Sequence, residues 1–173
     1  AERCESVLRK MVGRPLEPGE LRMEAVDLPV LVARICASWT APGRQVEVLV
    51  HAAPKEPIVL PTLAFTQALL NLLDNAAEAG PAGQAVQVEI DGRARGVRVA
   101  VLDRGPGWPT LVREHLGEPF VTTKHDGTGL GLYNAHALAV ALGGRLRLLD
   151  RPGGGASAEF DLPLEAFARG ALP

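Results

Sequence analysis

The sequence predicts an α+β fold, a two-layer α/β sandwich in which one mixed, mostly antiparallel sheet is covered on one face by about three helices. Three observations carry this. AVQVEID (85–91) and GVRVAVLD (96–103) alternate apolar and polar residues, and only a polar turn around Gly92 to Arg95 joins them, so they pair antiparallel. GRLRLLD and ASAEFDLPL repeat the arrangement across the turn RPGGG. Between such strands lie segments whose apolar residues recur at helical spacing. Too many strands are joined by short turns for a doubly wound parallel sheet.

Taken in order, residues 1–12 (AERCESVLRKMV) place Cys4, Val7, Leu8 and Met11 on one helical face. The Gly- and Pro-rich run GRPLEPGE then breaks the pattern as a linker. The chain thus divides into a helix end, 1–13, and one domain, 14–173. Its start inside a helical pattern gives the expectation of a piece cut from a longer protein. EAVDLPVLVARICASW predicts a short strand, then Asp27 as N-cap with Pro29 in the first turn, then a helix to about Trp39. RQVEVLV (44–50) alternates as a strand. Pro54, Pro57 and Pro61 punctuate a loop around a short strand at 58–60. Thr62 is the expected cap of a long helix to Ala79, which Gly80-Pro81 stops. From Arg104 to Thr128 the pattern dissolves into a long irregular stretch, and TGLGLYNAHALAVAL reads as a helix opening on glycines.

Composition narrows the function. At 47% hydrophobic and 4% aromatic, the core is mostly Leu, Val and Ala. The formal charge of −2 gives no reason to expect direct nucleic-acid binding. No apolar run reaches the ~20 residues of a membrane span, and no signal-peptide pattern opens the chain. The expected location is the cytoplasm, with a membrane anchor elsewhere in a longer parent left open. Cys4 and Cys36 read as idle thiols rather than a disulfide. His51, His115, His125 and His136 form no ligand pair, so no zinc site is expected.

Three clusters depart from a plain core. On the helix at 62–79, Leu69, Leu72, Leu73 and Ala76 form an apolar stripe, and Asn71, Asp74, Asn75 and Glu78 form a polar one. The polar stripe reads by default as the solvated face of a surface helix, and it also suits a hard cation such as Mg²⁺ shared with phosphates. In DRGPGWP (103–109), Asp103 ends an apolar strand and Gly105 and Gly107 follow. That suits a surface turn, or a carboxylate that accepts a hydrogen bond from an exocyclic amine such as adenine's. In KHDGTGLGL (124–132), Gly127, Gly129 and Gly131 precede a helix, with Lys124 upstream. Bare N–H groups at a helix start attract phosphate, and a flexible loop with a cap has the same composition. Phe120 in EPFVTTK is a lone aromatic in the long loop and a candidate anchor for a lid.

In this order the clusters resemble the catalytic ATP-binding domain of sensor histidine kinases. This is a branch of the superfamily that also holds type II topoisomerases, MutL-type repair ATPases and heat-shock chaperone ATPases. QALLNLLDNAAEA is similar to its N box, DRGPG to its G1 box, EPFVTTK to its F box and GTGLGL to its G2 box, and GGRLRLLDRPGGGASAEFDLPL resembles its closing hairpin. The match runs from about residue 24 to 164.

The resemblance implies the Bergerat α/β sandwich, with ATP and Mg²⁺ held between the N-box helix and an ATP lid. It implies that Asn75 coordinates Mg²⁺, that Asn71 faces the phosphates and that Asp103 holds the adenine amine. Gly105 and Gly107 let the chain pass close to the nucleotide. Gly127, Thr128, Gly129, Leu130, Gly131 and Leu132 form the phosphate-facing end of the lid, with Lys124 near the terminal phosphate. Hydrolytic members carry a glutamate where this chain has Asn71, which implies slow hydrolysis and ATP kept for transfer. The family's hairpin has threonines where Ala156 and Ser157 stand, which leaves Ser157 as the hydroxyl candidate for the adenine.

No histidine here sits in a phosphoacceptor box. Residues 1–12 resemble the end of a dimerisation helix, so the acceptor histidine is expected outside this chain. The expected partners are that histidine-containing dimerisation domain and a response regulator. The isolated chain is expected to be a monomer and the parent a homodimer. Two other readings stay open: a nucleotide-gated interaction module, and a serine kinase of the same superfamily acting on an anti-anti-sigma partner.

Overall fold

The computed structural model describes residues 22–125 and 127–163. The helix expected at 1–12 and the linker after it lie outside the described residues, as does Cys4. Strand β1 (Met23–Val26) leads into helix α1 (Leu28–Trp39). Asp27 caps that helix by accepting the Val30 N–H at 3.1 Å, and Pro29 sits in the first turn. Leu28, Leu31, Val32, Ile35 and Cys36 recur at helical spacing and are buried.

Strand β2 (Val46–Ala52) is followed by β3 (Ile58–Pro61), which runs straight into α2 (Thr62–Ala79). The expected cap at Thr62 is not observed. Pro61 holds the cap position, Thr62 is the first helical residue, and its hydroxyl donates to Glu24 Oε2 at 2.5 Å. That bond ties α2 to β1, which pairs antiparallel with β3. α2 buries Phe65, Ala68, Leu69, Leu72, Leu73 and Ala76, each large side chain contributing ~2–3 kcal/mol. Phe65 meets Phe160 with ring centroids 5.8 Å apart, pinning the helix to the sheet.

Strands β4 (Val86–Arg93) and β5 (Gly96–Leu102) form the expected hairpin, Val88 opposite Val101. The stretch expected to be irregular contains a short helix, α3 (Thr110–Glu114), whose buried residue is Val112. Helix α4 (Gly131–Ala141) precedes the closing hairpin of β6 (Arg145–Asp150) and β7 (Ala156–Pro163). The large sheet has the order β2-β4-β5-β7-β6. Among the described strands only β2 and β4 pair in parallel, because the β3–α2 crossover lies between them.

Val88, Ile90, Val97, Val99, Val101, Ala158 and Phe160 face α1, α2 and α4 in one core. The alternate residues of the central strands carry charge on the other face. There Arg98 donates to Glu159 at 2.7 Å and to Glu89 at 3.1 Å, and Arg147 donates to Glu159 at 3.0 Å. Burial alone would raise the Glu159 carboxyl, but the hydrogen bond and charge of Arg98, the Ser157 hydroxyl and Arg147 hold it below its ordinary value. Burial pushes the Cys36 thiol up to about 11, which leaves it inert.

Candidate active site

The apolar stripe of α2 faces the sheet, so its polar stripe faces the other way, into a cavity of about 700 Å³. Asn71, Asp74, Asn75 and Glu78 line one side of it. The residues after β5 close the end near Asp103, and residues of 121–125 and 127–132 cover the remaining side as a lid. Asp74 is held at the rim. Its Oδ1 accepts from Trp39 Nε1 at 3.0 Å and from Arg44 Nη1 at 3.1 Å, and Arg44 lies over the Trp39 ring.

Asp103 continues β5 past its last paired residue and is 6% exposed. Its Oδ1 accepts the Gly105 N–H at 2.7 Å and the Ala156 N–H at 3.3 Å. Among the described residues no bond reaches its second oxygen. Gly105 does not line the cavity. It presses against the end of α2, where a Cβ would come within 2.4 Å of the Ala79 carbonyl oxygen. Gly107 does line it, in a left-handed conformation at φ +95° that glycine adopts without strain.

Across the cavity α4 begins at Gly131 over Asn71, and a Cβ on Gly131 would lie 3.4 Å from Asn71 Cβ. Among the described residues no side chain caps the helix, so none of them takes up its first N–H groups. Gly127, Thr128, Gly129, Gly131 and Leu132 line the cavity, whereas Leu130 does not. Gly129 has φ +66° and packs against the Phe120 backbone. Phe120 itself is 73% exposed and is not buried as a lid anchor among the described residues. Lys124 reaches across from the lid. Its Nζ donates to Asn75 Oδ1 at 2.9 Å and pairs with Glu78 Oε2.

Ser157 is not brought to the cavity. It lies on the charged face of the sheet, where its hydroxyl donates to Glu159 at 3.0 Å. What Ser157 supplies is a backbone carbonyl, which accepts from Trp108 Nε1 at 3.0 Å. Trp108 and Val112 form an apolar wall that the sequence reading did not single out. The signal available was a tryptophan directly after the DRGPG turn.

This ordered set of a polar helix stripe, a strand-end carboxylate and a glycine lid matches a known family. A family model described as histidine kinase-, DNA gyrase B-, and HSP90-like ATPase matches residues 62–166. The chain belongs to that family. The sensor histidine kinase ZraS of Escherichia coli (strain K12) is 31% identical over 163 residues, 91% of this chain and 35% of its own length. Sensor protein kinase FleS of Pseudomonas aeruginosa is 45% identical over 96 residues, 56% of this chain and 24% of its own length. The chain therefore spans only part of each of these relatives.

The structure of the mycobacterial sensor histidine kinase MprB matches with a TM-score of 0.69 at 28% identity, covering 82% of this chain and 97% of that one. The catalytic domain of histidine kinase ThkA matches with a TM-score of 0.73 at 23% identity, covering 83% and 99%, and shares the fold. This ATPase-family domain has the Bergerat sandwich of histidine kinase catalytic domains.

Proposed function

We infer that this chain holds ATP with Mg²⁺ in the cavity and transfers its γ-phosphoryl group to a histidine on a dimerisation domain outside the chain. The carrying observation is the convergence of Asn71, Asn75 and Lys124 with the uncapped start of α4 on one cavity that ends at Asp103. The second Asp103 oxygen takes the adenine amine, while Gly105 fixes the first. The N–H groups opening α4 and the glycines before it take phosphate oxygens. Lys124 takes the terminal phosphate, and Asn71 faces the phosphates.

The residues present fit a magnesium ion. Asn75 Oδ1 and Glu78 Oε2 are oxygens, and they already converge on a cation, the Lys124 ammonium. Asn75 would hold the ion, which when bound supplies charge neutralisation across the phosphates. Phosphoryl transfer leaves a protein mainly positioning and electrostatics to provide. The bond from γ-phosphorus to the β-phosphate oxygen breaks, a bond from phosphorus to an unprotonated imidazole nitrogen forms, and ADP leaves. Asn71 has no basic group near neutral pH to activate water, which favours transfer over hydrolysis. A response regulator is the next acceptor in this reading.

Mixing the chain with a separate dimerisation domain and γ-labelled ATP tests this. Acid-labile, base-stable label on the dimerisation domain is expected. Nucleotide binding without transfer would favour a nucleotide-gated interaction module. Acid-stable label on a serine would favour the serine-kinase branch.

A further inference from the structure

One ammonium on the lid is shared by two oxygens of α2. Lys124 Nζ donates to Asn75 Oδ1 at 2.9 Å and forms an ion pair with Glu78 Oε2. Asn75 and Glu78 are three residues apart on the helix, so their side chains stand side by side. Lys124 belongs to another element altogether, in a lid segment where Gly127 packs against the Thr122 side chain and Gly129 against the Phe120 backbone. The other carboxylate of the stripe, Asp74, is already bound by Trp39 and Arg44. Glu78 is thus the acidic group of the stripe that faces the lid.

Resting on the nucleotide reading above, we propose that Asn75 and Glu78 form a single cation seat, filled in turn by the Lys124 ammonium and by a divalent metal ion. An amide and a carboxylate together suit a hard divalent cation that keeps most of its waters. The ammonium occupies the oxygens the ion needs, and two positive charges on one pair of oxygens repel. Metal entry therefore expels Lys124, and the released ammonium turns to the terminal phosphate. The lid is thereby coupled to the metal as well as to the nucleotide, and Glu78 belongs to the metal seat beside Asn75.

The test uses Mn²⁺ alone as the probe, followed by electron paramagnetic resonance, with no nucleotide present. Lys124 and Glu78 side chains are 43% and 58% exposed, so variants at both keep the fold. Lys124→Met removes the competing charge and should tighten Mn²⁺ binding about ten-fold, a usual size for coupling between linked groups. Adding Glu78→Gln to that variant should abolish the gain. Equal Mn²⁺ affinity for wild type and Lys124→Met would overturn the competition, and a gain that survives Glu78→Gln would remove Glu78 from the seat. ADP titration of the wild type in parallel separates the two readings. Loss of ADP binding alone would strike the nucleotide site and leave the Mn²⁺ result standing.

Discussion

Asp103 and Gly105 are locked to each other, the carboxylate Oδ1 accepting the Gly105 N–H at 2.7 Å while a Cβ on Gly105 would strike the end of α2. The strand, the carboxylate and the helix end are thus one rigid corner. Gly105→Ala would put a methyl 2.4 Å from the Ala79 carbonyl oxygen, which is backbone and cannot swing aside. The expected cost is about 1–3 kcal/mol, as for overpacking, together with weaker nucleotide binding. Chemical denaturation and calorimetry measure both; wild-type values for each would show that the corner yields freely.

Asp103→Asn keeps the acceptor for Gly105 but replaces the second oxygen by an amide nitrogen, which donates. Loss of a hydrogen bond to a charged group costs about 1.5–3 kcal/mol. ATP affinity should therefore fall by roughly ten- to a hundred-fold, while guanine, whose exocyclic oxygen accepts, is rejected less. Competitive titration with ATP and GTP reads the ratio, and an unchanged preference for ATP would place Asp103 outside the base pocket.

Asn75→Ala removes one of the two α2 oxygens assigned to the metal, the one the nucleotide reading places on it. Mg²⁺ should then no longer strengthen nucleotide binding, whereas metal-free binding changes little. Titrating the variant with and without chelator separates these terms; a Mg²⁺ enhancement equal to that of wild type would exclude Asn75 as the ligand.

Glu159 carries a stability prediction. Its carboxyl lies below its ordinary value of 4.5 in the folded chain, so the unfolded chain takes up its proton first as acid is added. The stabilisation is complete above that value and is lost as pH falls through the depressed one. Glu159→Gln should cost about 3 kcal/mol at neutral pH, since it breaks a buried pair with Arg98. The gap between variant and wild type should narrow below about pH 4.5. Denaturation at a series of pH values follows it, and a gap that stays constant into acid would assign the loss to packing instead.

Much of this was legible in the residues because the signals were local. Asp27 and Pro29 opened α1, period-two alternation marked β4 and β5, and Asn71, Asn75, Asp103 and Lys124 lie on one cavity. The misses had separate causes. Thr62 has the chemistry of a cap, but Glu24 from another strand claims its hydroxyl. α3 is too short for a helical period and is held by the single buried Val112. The Ser157 expectation rests on analogy with the family's threonines, although the alternation of Ala158, Phe160 and Leu162 into the core puts residue 157 on the opposite face.

The most direct test of the central claim is a calorimetric titration of this chain with a non-hydrolysable ATP analogue, with and without Mg²⁺. Adenine-specific binding that Mg²⁺ strengthens is the predicted result. Failure to bind at millimolar ligand, with the chain folded by circular dichroism, would contradict it.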